Sequence, residues 1–103
     1  MNIYIESVKI ELNEKAFGRI YQYNDDNTSV YFEGIKVDIA FRRQGLGTIL
    51  LQMLELFGKC LGASYSYLWV EKNTWIYEWY KRNGYSYFKD HEDVNFIWMS
   101  KIL

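Results

Sequence analysis

The feature that most constrains this 103-residue chain is the run that begins at Leu46. Leu46, Ile49, Leu50, Met53, Leu54, Phe57 and Leu61 recur at the i, i+3, i+4, i+7 spacing of an amphipathic helix, and Gly62 is placed to end it. A helix with one apolar stripe must lay that stripe on a second layer, and most of the remaining chain has the period of two that makes strands. Val8, Ile10 and Leu12 alternate with Lys9 and Glu11, and residues 16–23 and 28–40 read as a second and third strand joined by a turn at Asn24, Asp25, Asp26 and Asn27. In the third strand Val30 and Phe32 share one parity and Ile35, Val37 and Ile39 the other, with Gly34 at the switch, which predicts a β-bulge. After the helix, residues 65–70 read as a strand. Asn73 or Thr74 then caps a short helix bearing Trp75, Ile76, Trp79 and Tyr80, Gly84 stops it, and residues 85–88 and 94–102 close the chain as strands. The expected order is β-β-β-α-β-α-β-β, an α/β (α+β) fold of about six strands and two helices in one domain spanning residues 1–103. Gly58 stands inside the long helix at a cost of about 1 kcal/mol relative to Ala, for no reason visible at this level.

Composition narrows the function classes. The net charge is -1, so the chain lacks the basic footprint of a nucleic-acid binder. Aromatic residues make up 19%, which fits core and pocket wall better than a stacking platform for single strands, because no basic aromatic strand motif accompanies them. Cys60 is the only cysteine and continues the apolar stripe, so it reads as a packed thiol, and neither a disulfide nor a cysteine-based metal site is available. With one histidine and no H-E-x-x-H, no metal is expected. His91 sits among Lys89, Asp90, Glu92 and Asp93 and reads as a solvated turn residue. Glu6, Lys9 and Glu11 interrupt the opening apolar alternation, and no apolar run approaches the ~20 residues that span a bilayer. The expectation is a cytoplasmic protein without membrane or nucleic-acid partners, with monomer and homodimer both open.

The stretch that carries chemistry is Phe41, Arg42, Arg43, Gln44, Gly45, Leu46, Gly47 and Thr48, between a strand and the start of the best helix. The first N–H groups of a helix have no intrahelical partner and lie at the positive end of its dipole, so a phosphate there is held by amides that the fold leaves unused. Gly45 and Gly47 let the backbone approach phosphate oxygens, and Arg42 and Arg43 add charge-assisted bonds. Leu50 stands where a dinucleotide fingerprint needs its third glycine, and the P-loop ending is missing, so the turn serves another phosphate ligand.

At these residues the sequence resembles the GNAT family of N-acetyltransferases. That family opens its central helix with Gln or Arg, two residues, Gly, one residue, and Gly or Ala, matched here by Arg42, Arg43, Gln44, Gly45, Leu46 and Gly47. Its second element, Asn, an apolar residue three on, Tyr seven on, then Gly and an aromatic, is matched by Asn73, Ile76, Tyr80, Gly84 and Tyr85. The proline common three residues before the first motif is Ile39 here, and only about 40 residues precede the motif, so the usual pair of front helices is expected to be absent.

The resemblance implies a mixed, mainly antiparallel GNAT-like sheet and an enzyme that moves an acetyl group from acetyl-CoA to a primary amine, including a protein lysine or N-terminus, by direct attack in a ternary complex. It implies a pyrophosphate held by residues 42–48, and a pantetheine arm paired with the backbone of Ile35, Val37 and Ile39 and touched by Asn73. It further implies Tyr80 as the acid that protonates the departing thiolate and Glu33 as the base, acting through water. Glu33 shares the parity of Ile35, Val37 and Ile39. The alternative reading is a non-catalytic acyl-CoA sensor or partner-binding module that keeps the phosphate turn alone.

Overall fold

The computed structural model describes residues 7–12, 15–23, 29–37 and 45–103. Its elements are β1 (Ser7–Leu12), β2 (Ala16–Tyr23), β3 (Ser29–Val37), α1 (Leu46–Cys60), β4 (Tyr65–Glu71), α2 (Trp75–Arg82), β5 (Ser86–Asp90) and β6 (Phe96–Ile102). The expected order holds. The strands form one six-stranded sheet in the order β1-β2-β3-β4-β6-β5. Every neighbouring pair is antiparallel except β3 with β4, whose connection through α1 is the crossover that a parallel pair requires.

Strand alternation puts one set of side chains under the helices. Ile20, Val30, Phe32, Leu68, Val70, Ile97 and Met99 pack with Leu50, Leu51 and Leu54 of α1 and Tyr80 of α2 in one buried cluster. Both helices therefore lie on the same side of the sheet. The buried residues of α1 are Leu50, Leu51, Leu54 and Gly58, whereas Ile49, Met53 and Leu56 are 47%, 41% and 62% exposed and Cys60 is exposed rather than packed. The buried face is thus turned from the stripe read in the sequence toward Leu51 and Gly58. A Cβ at Gly58 would stand 3.0 Å from Val30 and 3.2 Å from Leu103, so the helix lies close on the sheet at this glycine.

A polar chain crosses the edge of this core. The hydroxyls of Ser66 and Tyr85 are 2.8 Å apart, Tyr85 donates to Glu55 at 3.1 Å, and the Lys101 ammonium lies 3.0 Å from the same carboxylate. It fastens α1 to β4, β6 and the segment after α2. Among the described residues, no helix is long and apolar enough to cross a membrane.

The bulge foreseen at Gly34 is present. Phe17 pairs Lys36 while Arg19 pairs Glu33, so three steps on β3 oppose two on β2. One consequence corrects the parity reading. The extra residue leaves Ile35 and Val37 packed against the same core as Val30 and Phe32, and sends the exposed Glu33 to the opposite, outer face.

Candidate active site

The parallel pair is short. β3 and β4 are joined only at Ser29 with Tyr65, Val30 with Ser66 and Tyr31 with Tyr67. Beyond that rung β4 stays paired with β6 as far as Glu71, and β3 stays with β2 as far as Val37, its course bent by the bulge. The two central strands therefore part after Tyr31 and Tyr67, leaving a cleft that narrows toward that rung. Ile35 and Val37 lie on its β3 wall, and Ile39 lies outside the described residues.

The N-terminus of α1 opens without a cap. Gly45 occupies the N-cap position with φ 78° and no side-chain hydrogen bond, and there is no acidic residue in the first turn. The first helical bond runs from the Ile49 N–H to the Gly45 carbonyl at 3.1 Å, so the N–H groups of Leu46, Gly47 and Thr48 have no partner within the helix. Gly45 and Gly47 differ in what they supply. A Cβ at Gly45 would meet nothing within 4 Å, so that glycine is needed for its left-handed backbone, whereas one at Gly47 would project toward Trp79 at 3.5 Å and Val37 at 3.7 Å. The end of β3, the start of α1 and the residue beside Tyr80 thus converge. Arg42, Arg43 and Gln44 lie outside the described residues.

Tyr80 is 5% exposed, its ring against Trp79 at 5.0 Å and Tyr85 at 5.6 Å. Its hydroxyl makes no hydrogen bond with any described residue. Burial pushes its ionisation well above the ordinary 10.0, so it is held as a neutral donor. Thr74, not Asn73, caps α2, accepting from the Tyr77 N–H at 3.2 Å and donating to the Glu71 carbonyl at 2.8 Å. Asn73 is exposed with φ 60°, the left-handed conformation that asparagine tolerates best among residues bearing a Cβ.

Glu33 lies across the sheet from Tyr80, beside the phenol of Tyr31. The Tyr31 phenol is pushed up to about 12, first by burial and then by the Glu33 charge, while Trp69 Nε1 donates to it at 2.6 Å. Tyr31 is in the last rung and Trp69 is two residues past it, so this bond spans the two strands where they separate. The outer face around it is a sheet of rings. Tyr31 meets Tyr67 at 5.5 Å and Trp98 at 5.7 Å, and Trp69 meets His91 at 5.2 Å and Phe96 at 5.1 Å. His91 sits in the β5–β6 turn as read, but it is half-buried rather than fully solvated, stacked on Trp98, and its Nδ1 accepts the Asp93 N–H at 3.0 Å. Sequence reasoning missed this array, although the i, i+2 spacing of Tyr65, Tyr67 and Trp69 is its signal.

The architecture is that of the acyl-CoA N-acyltransferases. A Klebsiella pneumoniae protein proposed to be an acyl-CoA N-acyltransferase superposes with a TM-score of 0.81 at 20% identity, over 95% of this chain and 73% of that one. The PaiA N-acetyltransferase of Thermoplasma acidophilum, solved with coenzyme A, gives 0.80 at 15% identity over 96% and 62%, and an aminoglycoside 6'-N-acetyltransferase complexed with coenzyme A gives 0.74 at 18% over 94% and 73%. The chain thus spans about three fifths to three quarters of the length of these neighbours. No curated protein matches it in sequence. The profile of the GNAT acetyltransferase domain matches residues 4–87, and the chain belongs to that family.

Proposed function

We propose that the chain is an N-acetyltransferase, a single domain over residues 1–103, that passes the acetyl group of acetyl-CoA to a primary amine in a ternary complex. The observation that carries this reading is the cleft that opens between β3 and β4 beside an uncapped helix start, with Tyr80 on its helix side and Glu33 on its outer side. The residues suit the coenzyme: N–H groups at 46–48 that no helical bond uses, with no acid in the first turn, favour a pyrophosphate, and the missing side chain of Gly47 leaves room between Trp79 and Val37. Arg42, Arg43 and Gln44 complete that phosphate site with Gly45, Leu46, Gly47 and Thr48, and Asn73 meets the pantetheine region. Bound acetyl-CoA supplies the thioester that accepts the amine. The backbone of Ile35, Val37 and Ile39 aligns the arm and polarises the carbonyl.

An aliphatic ammonium of pKa ~10.4 must lose a proton before it attacks, and Glu33 takes it through water from the outer face. Tyr80, kept neutral by burial, delivers a proton to the thiolate on the other side. Protein lysines and N-termini are the first acceptors to test, because among the described residues no helix encloses the outer side of the cleft. Release of coenzyme A thiol in the presence of acetyl-CoA and an amine panel tests the reading, with Glu33→Gln as the control. Turnover in the wild type, lowered about 10² by Glu33→Gln, is expected. Equal rates for both proteins would remove Glu33 from the reaction.

A further inference from the structure

The side of α1 that meets the sheet is not its only apolar side. Ile49, Met53 and Leu56 are 47%, 41% and 62% exposed, and the exposed Cys60 continues the row. At 3.6 residues per turn these four positions fall within about 60° of one another, so they form one ridge turned away from the buried Leu50, Leu51, Leu54 and Gly58. We propose that this ridge seats a second copy of the chain, the two α1 helices packing antiparallel about a two-fold axis at the level of Leu54 and Glu55.

Spacing, charge and area select that occupant. The ridge residues follow one another at intervals of four, three and four, a spacing that reads the same in both directions. Turned end for end, the second copy therefore brings its Cys60 opposite Ile49 and its Leu56 opposite Met53, the self-matching that a two-fold interface requires. Charge sets the direction. A parallel pair would put two Lys59 ammoniums side by side and align two uncapped, positive helix starts. The antiparallel pair lays each start beside the other copy's helix end, keeps the two starts roughly 25 Å apart and parts the two Lys59 residues by about 14 Å along the axis. The other charge on α1, Glu55, is turned aside and bonded to Lys101. Area sets the strength. At these exposures the three large side chains leave roughly 300 Å² of apolar surface, the size at which a patch on one chain marks an interaction site. Two copies, with the exposed Gln52 and Lys59 at the rim, cover about twice that, below the ~1,200 Å² of a standard interface, so the pair is weak and reversible.

The test uses the full chain and needs no ligand. In analytical ultracentrifugation the wild type should pass from 12.4 kDa toward twice that mass as its concentration rises from about 10 µM to about 1 mM, the behaviour of a weak interface. Leu56→Glu changes an exposed position, should be folded by circular dichroism, and should stay at the monomer mass throughout. Thiol pairing then reads the geometry, because Cys60 is the only cysteine. Residues 49 and 60 of one copy lie ~16 Å apart along the helix, too far for a disulfide, yet face each other across the two-fold. Under mild oxidation Ile49→Cys should therefore give a disulfide-linked dimer about tenfold faster than the wild type, and adding either Leu56→Glu or Cys60→Ser should abolish that gain. A monomer at every concentration, a dimer untouched by Leu56→Glu, or wild type that links through Cys60 as fast as Ile49→Cys would overturn the proposal. A chain that stays monomeric and binds anionic vesicles, losing them in Leu56→Glu, would give the ridge to a membrane surface and overturn it as well.

Discussion

The two faces of the sheet solve different problems with different residues. Beneath the helices, aliphatic side chains such as Ile20, Val30, Leu68 and Met99 interlock with Leu50, Leu51 and Leu54, and the polar groups at that core's edge are tied into the chain from Ser66 through Tyr85 and Glu55 to Lys101. On the other side Tyr31, Tyr67, Trp69 and Trp98 pack tilted or edge-on to one another and to Phe96, with His91 stacked on Trp98, an arrangement that gains from ring quadrupoles as well as area. Among the described residues no helix covers these rings, and the Trp69–Tyr31 bond keeps polar edges near solvent. The first face is set by volume, whereas the second leaves rings such as Trp69 partly exposed. Tyr80 and Glu33 stand on the two sides, and the cleft is where the faces communicate.

The largest effect that would break this division lies at Tyr80. Tyr80→Phe keeps the buried ring and should leave the fold and acetyl-CoA affinity unchanged while lowering kcat by roughly 10² to 10⁴. Because burial raises the Tyr80 ionisation above 10.0, the acid stays protonated, and the wild-type rate should show no descending limb below pH 10. A bell centred near neutrality, or full turnover in Tyr80→Phe, would place the acid elsewhere. A smaller effect sharpens the packing side of the comparison. Gly58→Ala forces a Cβ to within 3.0 Å of Val30 and should cost about 1–3 kcal/mol in chemical denaturation, with little change in coenzyme affinity at temperatures where the variant is folded. A neutral substitution there would mean that the helix is free to retreat from the sheet.

Much of this was legible in residue order. Period-two and period-3.6 patterning located the strands and helices to within a few residues, the parity switch located the bulge, and the glycine turn pointed to the uncapped helix start. What escaped depends on approach distances and on where strands part. The exposed Ile49 and Met53 fit the apolar stripe as well as the buried Leu50 does, and only the packing distances, such as those at Gly18 and Gly58, show which face is turned to the sheet. Residue order alone gives Glu33 the parity of Ile35, and the bulge at Gly34 reverses it. His91, flanked by charges, looks like loop until the strands around it bring Trp98 beneath its ring. Trp69 and Tyr31 are 38 residues apart, and nothing local announces their bond.

The central claim is that the start of α1 holds the pyrophosphate of an acyl-coenzyme A, and calorimetric titration of the wild type and Gly47→Ala with acetyl-CoA tests it most directly. A Cβ at Gly47 makes only ordinary contacts, so the variant should fold with an unchanged melting temperature. Gly45→Ala is the poorer probe, since φ 78° would strain any such variant by about 1–2 kcal/mol. The account predicts one-to-one binding by the wild type and affinity about tenfold weaker in folded Gly47→Ala, the size of one charge-assisted hydrogen bond. No heat from the wild type at saturating acetyl-CoA, with no thermal stabilisation, would contradict it and leave the turn as an ordinary strand-to-helix connection.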